Sequence, residues 1–564
     1  MLPIDRLLNN MQICRADHLP IVTAFCRRIR LAETVNRVVP TQMEVDVGTV
    51  VQAMVLDTLS GRSPLYRLTD FFQHQDTQTL LGRPLLPSAF NDTTVGRAMD
   101  AIFEAGAEKL FSEVAFQACL RFALDMGHVH FDTTSVSVWG DYDRSSPEAD
   151  TLNVTYGHSK DHRPDLKQFL IKMLCVARNI PILGNCEDGN RSDKLINNSV
   201  LSRISSHMAR HGLSAGAFIY IADAAMVTQD NLNAIGNNLF VTRLPFSYNE
   251  ADRVVAEAVT EADWDSVGTL NETPATTQRP AAQYKIAEKT VTLYGRPYRA
   301  VVVHSTAHDK RRLKRIQRQI RESEIALNKT VAEQTKPQYL CRPDAQAAAE
   351  RLRAYASALH RIETSLTEKV RYARGRPPNN APRKVASVRW GLNASGVENS
   401  EQIERKRQEA GCFVLLTNIA TEGATAKTGA DLLRAYKDQY GIERNYSFLK
   451  DPLIVNDVFL KKPERIEVLG AILLTALLVW NLIEHVLRQH VAQSDQPLPG
   501  WENKPTRRPT AFMMSTKFMG LLLIRAGPVC RLSQPLNDVQ HRYLKALKLS
   551  ESHLLNPSSA PDYG

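Results

Sequence analysis

No two of the eight cysteines are spaced as C-x-x-C. Scattered from Cys14 to Cys530, they are expected as buried thiols in a reducing compartment, and structural zinc is not expected. The opening MLPIDRLLNNMQICRADHLP has no basic stretch leading into an apolar run, so a secretory signal is not expected. Nor does any apolar run reach the roughly 18–20 residues that a membrane span needs. The longest, VLGAILLTALLVWNLI from Val468 to Ile483, is 16 residues between Glu467 and Glu484 and carries Asn481, which suits a core helix. The stretch GATAKTG at Gly423 lacks the glycine that a phosphate-binding loop places before its lysine, so nucleotide hydrolysis is not expected.

What is present is a chain of 564 residues, 43% hydrophobic and 23% charged, enough for several domains of ordinary soluble composition. Its formal charge of +10 and pI near 9.1 favour a polyanionic partner, with nucleic acid foremost, because Lys and Arg beside phosphates release condensed counterions. The expected location is the cytoplasm.

The texture divides the chain into five parts. Residues 1–125 read as helical: Val47, Val50, Val51, Met54, Val55 and Leu59 recur at helical spacing, Gly61 offers a stop, and Ser63-Pro64 offers the start of a second short helix. Such a helix-turn-helix unit fits either a DNA groove or a plain helical hairpin. Residues 126–270 alternate in the manner of strands (HVHFDTTSVSVWG, QFLIKMLCVARNIPILGN, AFIYIADAAM, NLFVTRLPF) around one helix ending at Gly212, which indicates a mixed α/β sheet. Residues 271–410 read as a β-hairpin split at Gly295, then a helical hairpin. One seam of that hairpin is Leu313, Ile316, Ile320 and Leu327; the other is Leu352, Tyr355, Leu359, Ile362 and Leu366. The first helix carries a basic run, DKRRLKRIQRQIR, either solvated or facing DNA. Residues 411–490 return to a strand, CFVLLTNIA, and a helix started by a Thr428/Asp431 capping box. Residues 491–564 form a proline-rich connection and a C-terminal helical region from about Ala511.

Chemistry is expected at three acids. Asp132 closes HVHFD and Asp223 closes FIYIAD, and strand ends along one sheet edge are where open α/β folds put their reactive groups. In YKDQYGIERNYSFLK, read as one helix, Tyr436, Glu443 and Lys450 fall near one azimuth with Gln439 beside them, while Ala435, Ile442, Tyr446 and Leu449 make an adjoining core-facing stripe. Two strand acids and one helix acid could share two Mg²⁺ ions for an in-line displacement at phosphorus. Lys160, His162, Arg163 and Lys167 are candidate phosphate contacts. His158 and His162, with Asp161 and Asp165, have zinc-like spacing, but Gly157 and Pro164 favour a loop. Trp139 is either a stacking platform for an unpaired base or a core or sheet-edge residue.

These motifs resemble the DDE transposases of bacterial insertion sequences, the group with the signature Y-x2-R-x3-E-x6-K. Tyr436, Glu443 and Lys450 match with every gap preserved, and Gln439 stands in the arginine place. FDTTSVSVWG and IADAAMVT look like the two aspartate motifs of that family, and YGHSKDHRPDLKQFLIKMLC and IPILGNCEDGNRSDK also look familial. The resemblance is strongest over residues 128–246 and 412–487. It implies an RNase H-like mixed sheet interrupted by an insertion domain between the second aspartate and the glutamate. It also implies Asp132, Asp223 and Glu443 as ligands of two Mg²⁺ ions, with Mn²⁺ an alternative, and Tyr436 and Lys450 as contacts to double-stranded DNA at transposon ends. The implied activity is end cleavage followed by strand transfer, by a homodimer on DNA and without a membrane. Gln439 keeps a hydrogen bond to phosphate but loses the bidentate grip of arginine. An RNase H-like nuclease without strand transfer and a catalytically inactive DNA-binding descendant are the alternative expectations.

Overall fold

Asp46 caps the helix Val47–Leu59 by accepting the Thr49 N–H at 2.8 Å, and all 13 residues of that helix are buried. A helix buried on every side belongs to a core. It is the inner helix of the unit read from the sequence. At Gly48 a β-carbon would meet the Ala32 carbonyl oxygen at 2.3 Å, so the neighbouring helix Leu31–Val38 crosses it backbone to backbone. The proposed start of a second helix at Ser63-Pro64 lies outside the described residues. The computed structural model describes residues 11–61, 67–139, 142, 151–270, 280–306, 309–375, 382–451 and 460–557.

The chain is a mixed α/β protein with a large nine-strand mixed sheet and helical N- and C-terminal regions. It divides into two compact units: residues 1–242 with 435–564, and residues 243–434. The segment lying between the two parts of the first unit is thus wider than the 271–410 expected from texture.

In the first unit, strand β1 (Met11–Arg15) pairs antiparallel with strand Leu522–Ala526, which joins the two chain termini. The sheet strands are β2 (His128–Val138), β3 (Lys167–Val176), β4 (Ile180–Glu187), β5 (Ile219–Ala222) and β6 (Leu239–Leu244), in the order β4-β3-β2-β5-β6. β2 to β4 are antiparallel neighbours, whereas β5 runs parallel to both β2 and β6. Every residue of β3 is buried, as a strand covered on both faces requires. One covering element is the helix Pro463–Ser494, whose most apolar 18-residue window is 89% buried inside the protein. The helix seats closely on β4: a β-carbon at Gly470 would meet Cys186 Sγ at 2.4 Å, and one at Gly184 would meet Leu474 at 2.9 Å. The expected core helix at 468–483 is this one.

The second unit holds β7 (Asp265–Thr269), β8 (Gln283–Leu293) and β9 (Arg296–Ser305), in the order β13-β9-β8-β7, where β13 is Cys412–Thr417. The hairpin split at Gly295 is therefore present, as part of the large sheet. The expected helical hairpin is not. A helix does run over Asp309–Gln334, with Ile316, Ile320 and Leu327 buried on one side, and a shorter one over Arg342–Arg353. Beyond that, the second seam is a strand, β11 (His360–Tyr372), paired along its length with β12 (Val385–Glu398), while β10 (Gln338–Tyr339) pairs with β12 only at Gly391 and Trp390. Leu359, Ile362 and Leu366 satisfy helical spacing, but His360, Ile362, Thr364 and Leu366 also alternate with exposed residues. With β-branched residues in the run, the two-residue period prevails.

Candidate active site

The sheet sets two acids side by side. β2 and β5 are in parallel register at His128↔Ile219 and His130↔Ile221, and one further two-residue step places Asp132 opposite Asp223 on the same sheet face. Asp223 closes β5 as expected. Asp132 does not close its strand: β2 continues to Val138, because Thr133 to Val138 pair on with β3. Asp223 instead caps the next short turn, accepting the Ala225 N–H at 3.1 Å.

A third acid, which sequence reasoning missed, joins them. Asp193 begins the helix Asp193–Arg210 and accepts a 2.5 Å hydrogen bond from the Thr133 hydroxyl. The legible signal was Ser192, a helix-capping residue directly before an acid. Burial, followed by the proximity of Asp223 and Asp193, pushes the Asp132 carboxyl up to about 7 despite Lys160 nearby. Burial and Asp193 likewise raise Asp223.

Lys160 supplies the local positive charge. Its ammonium donates to the Thr133 carbonyl at 2.6 Å and to the Thr133 hydroxyl at 2.8 Å, and stands 3.6 Å from Asp193 and 4.0 Å from Asp132. The backbone N–H of Lys160 donates to Ser135 Oγ at 2.9 Å, which lays the 158–165 loop over β2. That segment is a loop with His162 at positive φ, and among the described residues no His, Cys, Asp and Glu cluster forms a metal-holding group, so the zinc-like spacing goes unused.

The helix of the YKDQYGIERNYSFLK stretch is broken. Thr428 caps Gly429–Lys437 by accepting the Asp431 N–H at 3.2 Å, and a second helix spans Tyr440–Leu449. Between them, three-residue hydrogen bonds (Gln439 N–H to Tyr436 O, Gly441 N–H to Asp438 O) tighten the chain into a 3₁₀-like turn. Tyr436 and Glu443 therefore do not share one straight stripe. The apolar stripe is present: Ala435, Ile442, Tyr446 and Leu449 are all buried.

Three asparagines anchor the second helix. Asn445 and Asn481 both donate to the Asn179 carbonyl, at 2.7 and 2.8 Å, and Asn481 donates to Asn445 Oδ1 at 2.9 Å. This seats Tyr440–Leu449 on the turn between β3 and β4, with Tyr446 toward the acids. The Tyr446 hydroxyl is buried without a hydrogen-bond partner among the described residues. Burial raises its pKa well above the ordinary value, with Asp132, Cys175, Asp193 and Asp223 adding to the effect. Glu443 is exposed one turn earlier, on the side of the helix adjoining Tyr446.

The remaining candidates are placed as follows. Lys450 donates to Asp161 at 2.6 Å, tying the end of that helix to the 158–165 loop. Arg163 makes a bidentate pair with Asp165 and lies 5.2 Å over the ring of Trp139, which is 49% exposed. His162 is exposed, Lys167 is buried at the start of β3, and Tyr436 and Gln439 are half-buried. The site thus brings together Asp132, Asp223, Asp193, Lys160 and Tyr446; Lys450 reaches its loop through Asp161, whereas Glu443 is exposed on the helix that carries Tyr446.

Asp132 and Asp223, both raised chiefly by burial, lie near the Lys160 ammonium, and carboxylate oxygens are donors of the kind that hard divalent cations take. Among the described residues no group of three or more His, Cys, Asp and Glu is placed to hold a metal ion as the side chains stand.

A family model described as a domain of unknown function, DUF4277, matches residues 11–116, a segment that contains none of these acids. No curated protein matches the chain.

Proposed function

We propose that the chain is a DDE-type DNA transposase that cleaves transposon ends and joins the freed 3′-hydroxyl to target DNA. The observation that carries this reading is the pairing of Asp132 and Asp223 on adjacent parallel strands, with an acid-bearing helix, Tyr440–Leu449, seated beside them. Asp132, Asp223 and Glu443 would hold two Mg²⁺ or Mn²⁺ ions, which supply activation of the attacking oxygen and charge stabilisation of the leaving one. The remaining steps belong to the side chains. Lys160 offsets the charge of Asp132 and Asp193 and would be available to a DNA phosphate if those acids held a cation. Lys450 and Tyr436 hold the strand, with Gln439 as a neutral phosphate contact beside them and His162, Arg163 and Lys167 on the neighbouring loop and strand. Asp193, through Thr133, fixes the strand that carries Asp132.

Two ends must be held at once, so the working complex contains at least two copies of the chain on double-stranded DNA. The reading places it in the cytoplasm, at the nucleoid.

The test uses duplexes carrying the element's own ends with Mg²⁺. Wild type is expected to give 3′-hydroxyl ends and joined products. Asp132→Ala, Asp223→Ala and Glu443→Ala are each expected to abolish cutting while end binding persists. Retained cutting in all three variants rejects the reading, and cutting without joined products reduces it to a nuclease.

A further inference from the structure

The distal half of the β11–β12 ribbon carries a charge pattern that the acid site does not use. β10 supports the ribbon only as far as Trp390, and the buried cluster under it reaches Ile362 and Leu392, with Leu366 and Ala394 partly covered. Beyond Glu368 and Trp390 the two strands pair only with each other. Residues 369–375 and 382–389 contain Lys369, Arg371, Arg374, Arg383, Lys384 and Arg389, all exposed, and no Asp or Glu. Among the described residues none of the six has an ion-pair partner.

The register sorts these cations. Lys369 stands opposite Arg389, Arg371 opposite Ser387, and past a bulge the Ala373 N–H bonds to the Lys384 carbonyl. Alternation puts Lys369, Arg371, Lys384 and Arg389 on one face, and Val370, Tyr372 and Val388 on the other. Two cations directly opposed across an antiparallel pair repel one another. A face built this way is relieved by an anion, and four cations spread along it match a row of phosphates better than a single charge.

We propose that this ribbon is a DNA-binding arm that lies in the major groove of duplex DNA with its cationic face toward the phosphates. The free part extends about 20 Å at the usual rise per residue. A B-form major groove, about 12 Å wide, admits a two-stranded ribbon, whereas the deep, narrow major groove of A-form RNA does not. The arm belongs to the second unit and does not rest on the acid site.

The test is fluorescence anisotropy of the full chain on a duplex of arbitrary sequence across a salt series. Each lost phosphate contact lowers the slope of log K against log salt by about 0.9, so K369Q/R371Q/K384Q/R389Q is expected to flatten it by about 3 to 4. Thermal melting should match wild type, because all four side chains are exposed. An unchanged slope in the quadruple variant overturns the arm. Arm-dependent binding that is equal on duplex RNA, or that occurs only on phosphatidylserine vesicles, overturns it as well.

Discussion

Tyr446 separates what a helix pattern reveals from what it hides. Spacing placed it on the core-facing stripe of its segment, and it is buried there. Spacing could not tell that its hydroxyl would face three aspartates without a partner, because those acids come from strands and a helix more than 200 positions away in sequence. An unsatisfied buried hydroxyl costs about 1–3 kcal/mol, whereas Tyr to Phe leaves the ring packing intact. Tyr446→Phe is therefore expected to leave stability unchanged or raise it by about 1 kcal/mol, read by denaturant titration. A clear loss would mean that the hydroxyl is satisfied. Asp223 was legible because it truly ends a strand; Asp132 was found for a reason that does not hold, since its strand runs on. Asp193 escaped because an acid in a first helical turn is ordinary dipole chemistry.

His207 adds a residue-scale prediction on pH. Buried on the helix Asp193–Arg210, with no hydrogen-bond partner for Nε2 among the described residues, it is held down to about 4 by burial, with His211, Arg210 and Arg203 adding repulsion. The unfolded chain takes up this proton near the ordinary value of about 6.5, but the folded chain resists until about 4. Stability from this group is thus complete above pH 6.5 and is lost as pH falls toward 4, by up to about 3 kcal/mol. In His207→Leu that loss should vanish, so the stability difference between variant and wild type should shift between pH 7 and pH 5. A difference that stays constant with pH would assign the titration elsewhere.

Among elements, two expectations failed for one physical reason: helical periodicity does not report where a helix breaks or whether another period also fits. The run from His360 satisfied both periods, and pairing with β12 selected the strand. The run from Thr428 to Lys450 satisfied the helical period throughout yet turns at Asp438–Gln439, because the second helix docks on the β3–β4 turn. Gly441 marks that docking. Alanine in a helix is favoured over glycine by about 1 kcal/mol, which alone would make Gly441→Ala stabilising. Here a β-carbon would meet the Arg178 carbonyl oxygen at 2.4 Å, a backbone atom that cannot swing aside. Overpacking of this kind costs about 1–3 kcal/mol, so the net effect should be destabilising. Thermal melting checks the sign, and a higher midpoint in the variant would show that the helix is not clamped as described.

For the whole molecule, the part of the sequence that matches a family model is not a self-sufficient part of the fold. Residues 11–116 include β1, which pairs along its length with Leu522–Ala526. Arg28, 1% exposed, donates to the carbonyls of Leu547 and Lys548 at 3.0 Å, and Arg525 makes a 2.6 Å ion pair with Asp76, which is itself buried. Sequence texture gave helical regions at both ends of the chain but could not reveal that they close on each other, since such pairing leaves no local period. Cutting between them exposes a strand edge and strands a buried guanidinium, and a buried charge stripped of its partners costs about 3–5 kcal/mol, a large fraction of a domain's total stability. A fragment of residues 11–125 alone is therefore expected to be unfolded or aggregated. Co-expression with residues 495–557 should recover part of its order, since that segment returns the partners of β1, Arg28 and Asp76. Circular dichroism and limited proteolysis of the two preparations decide the matter: a cooperative melt from the 11–125 fragment alone would show that the termini merely rest against each other.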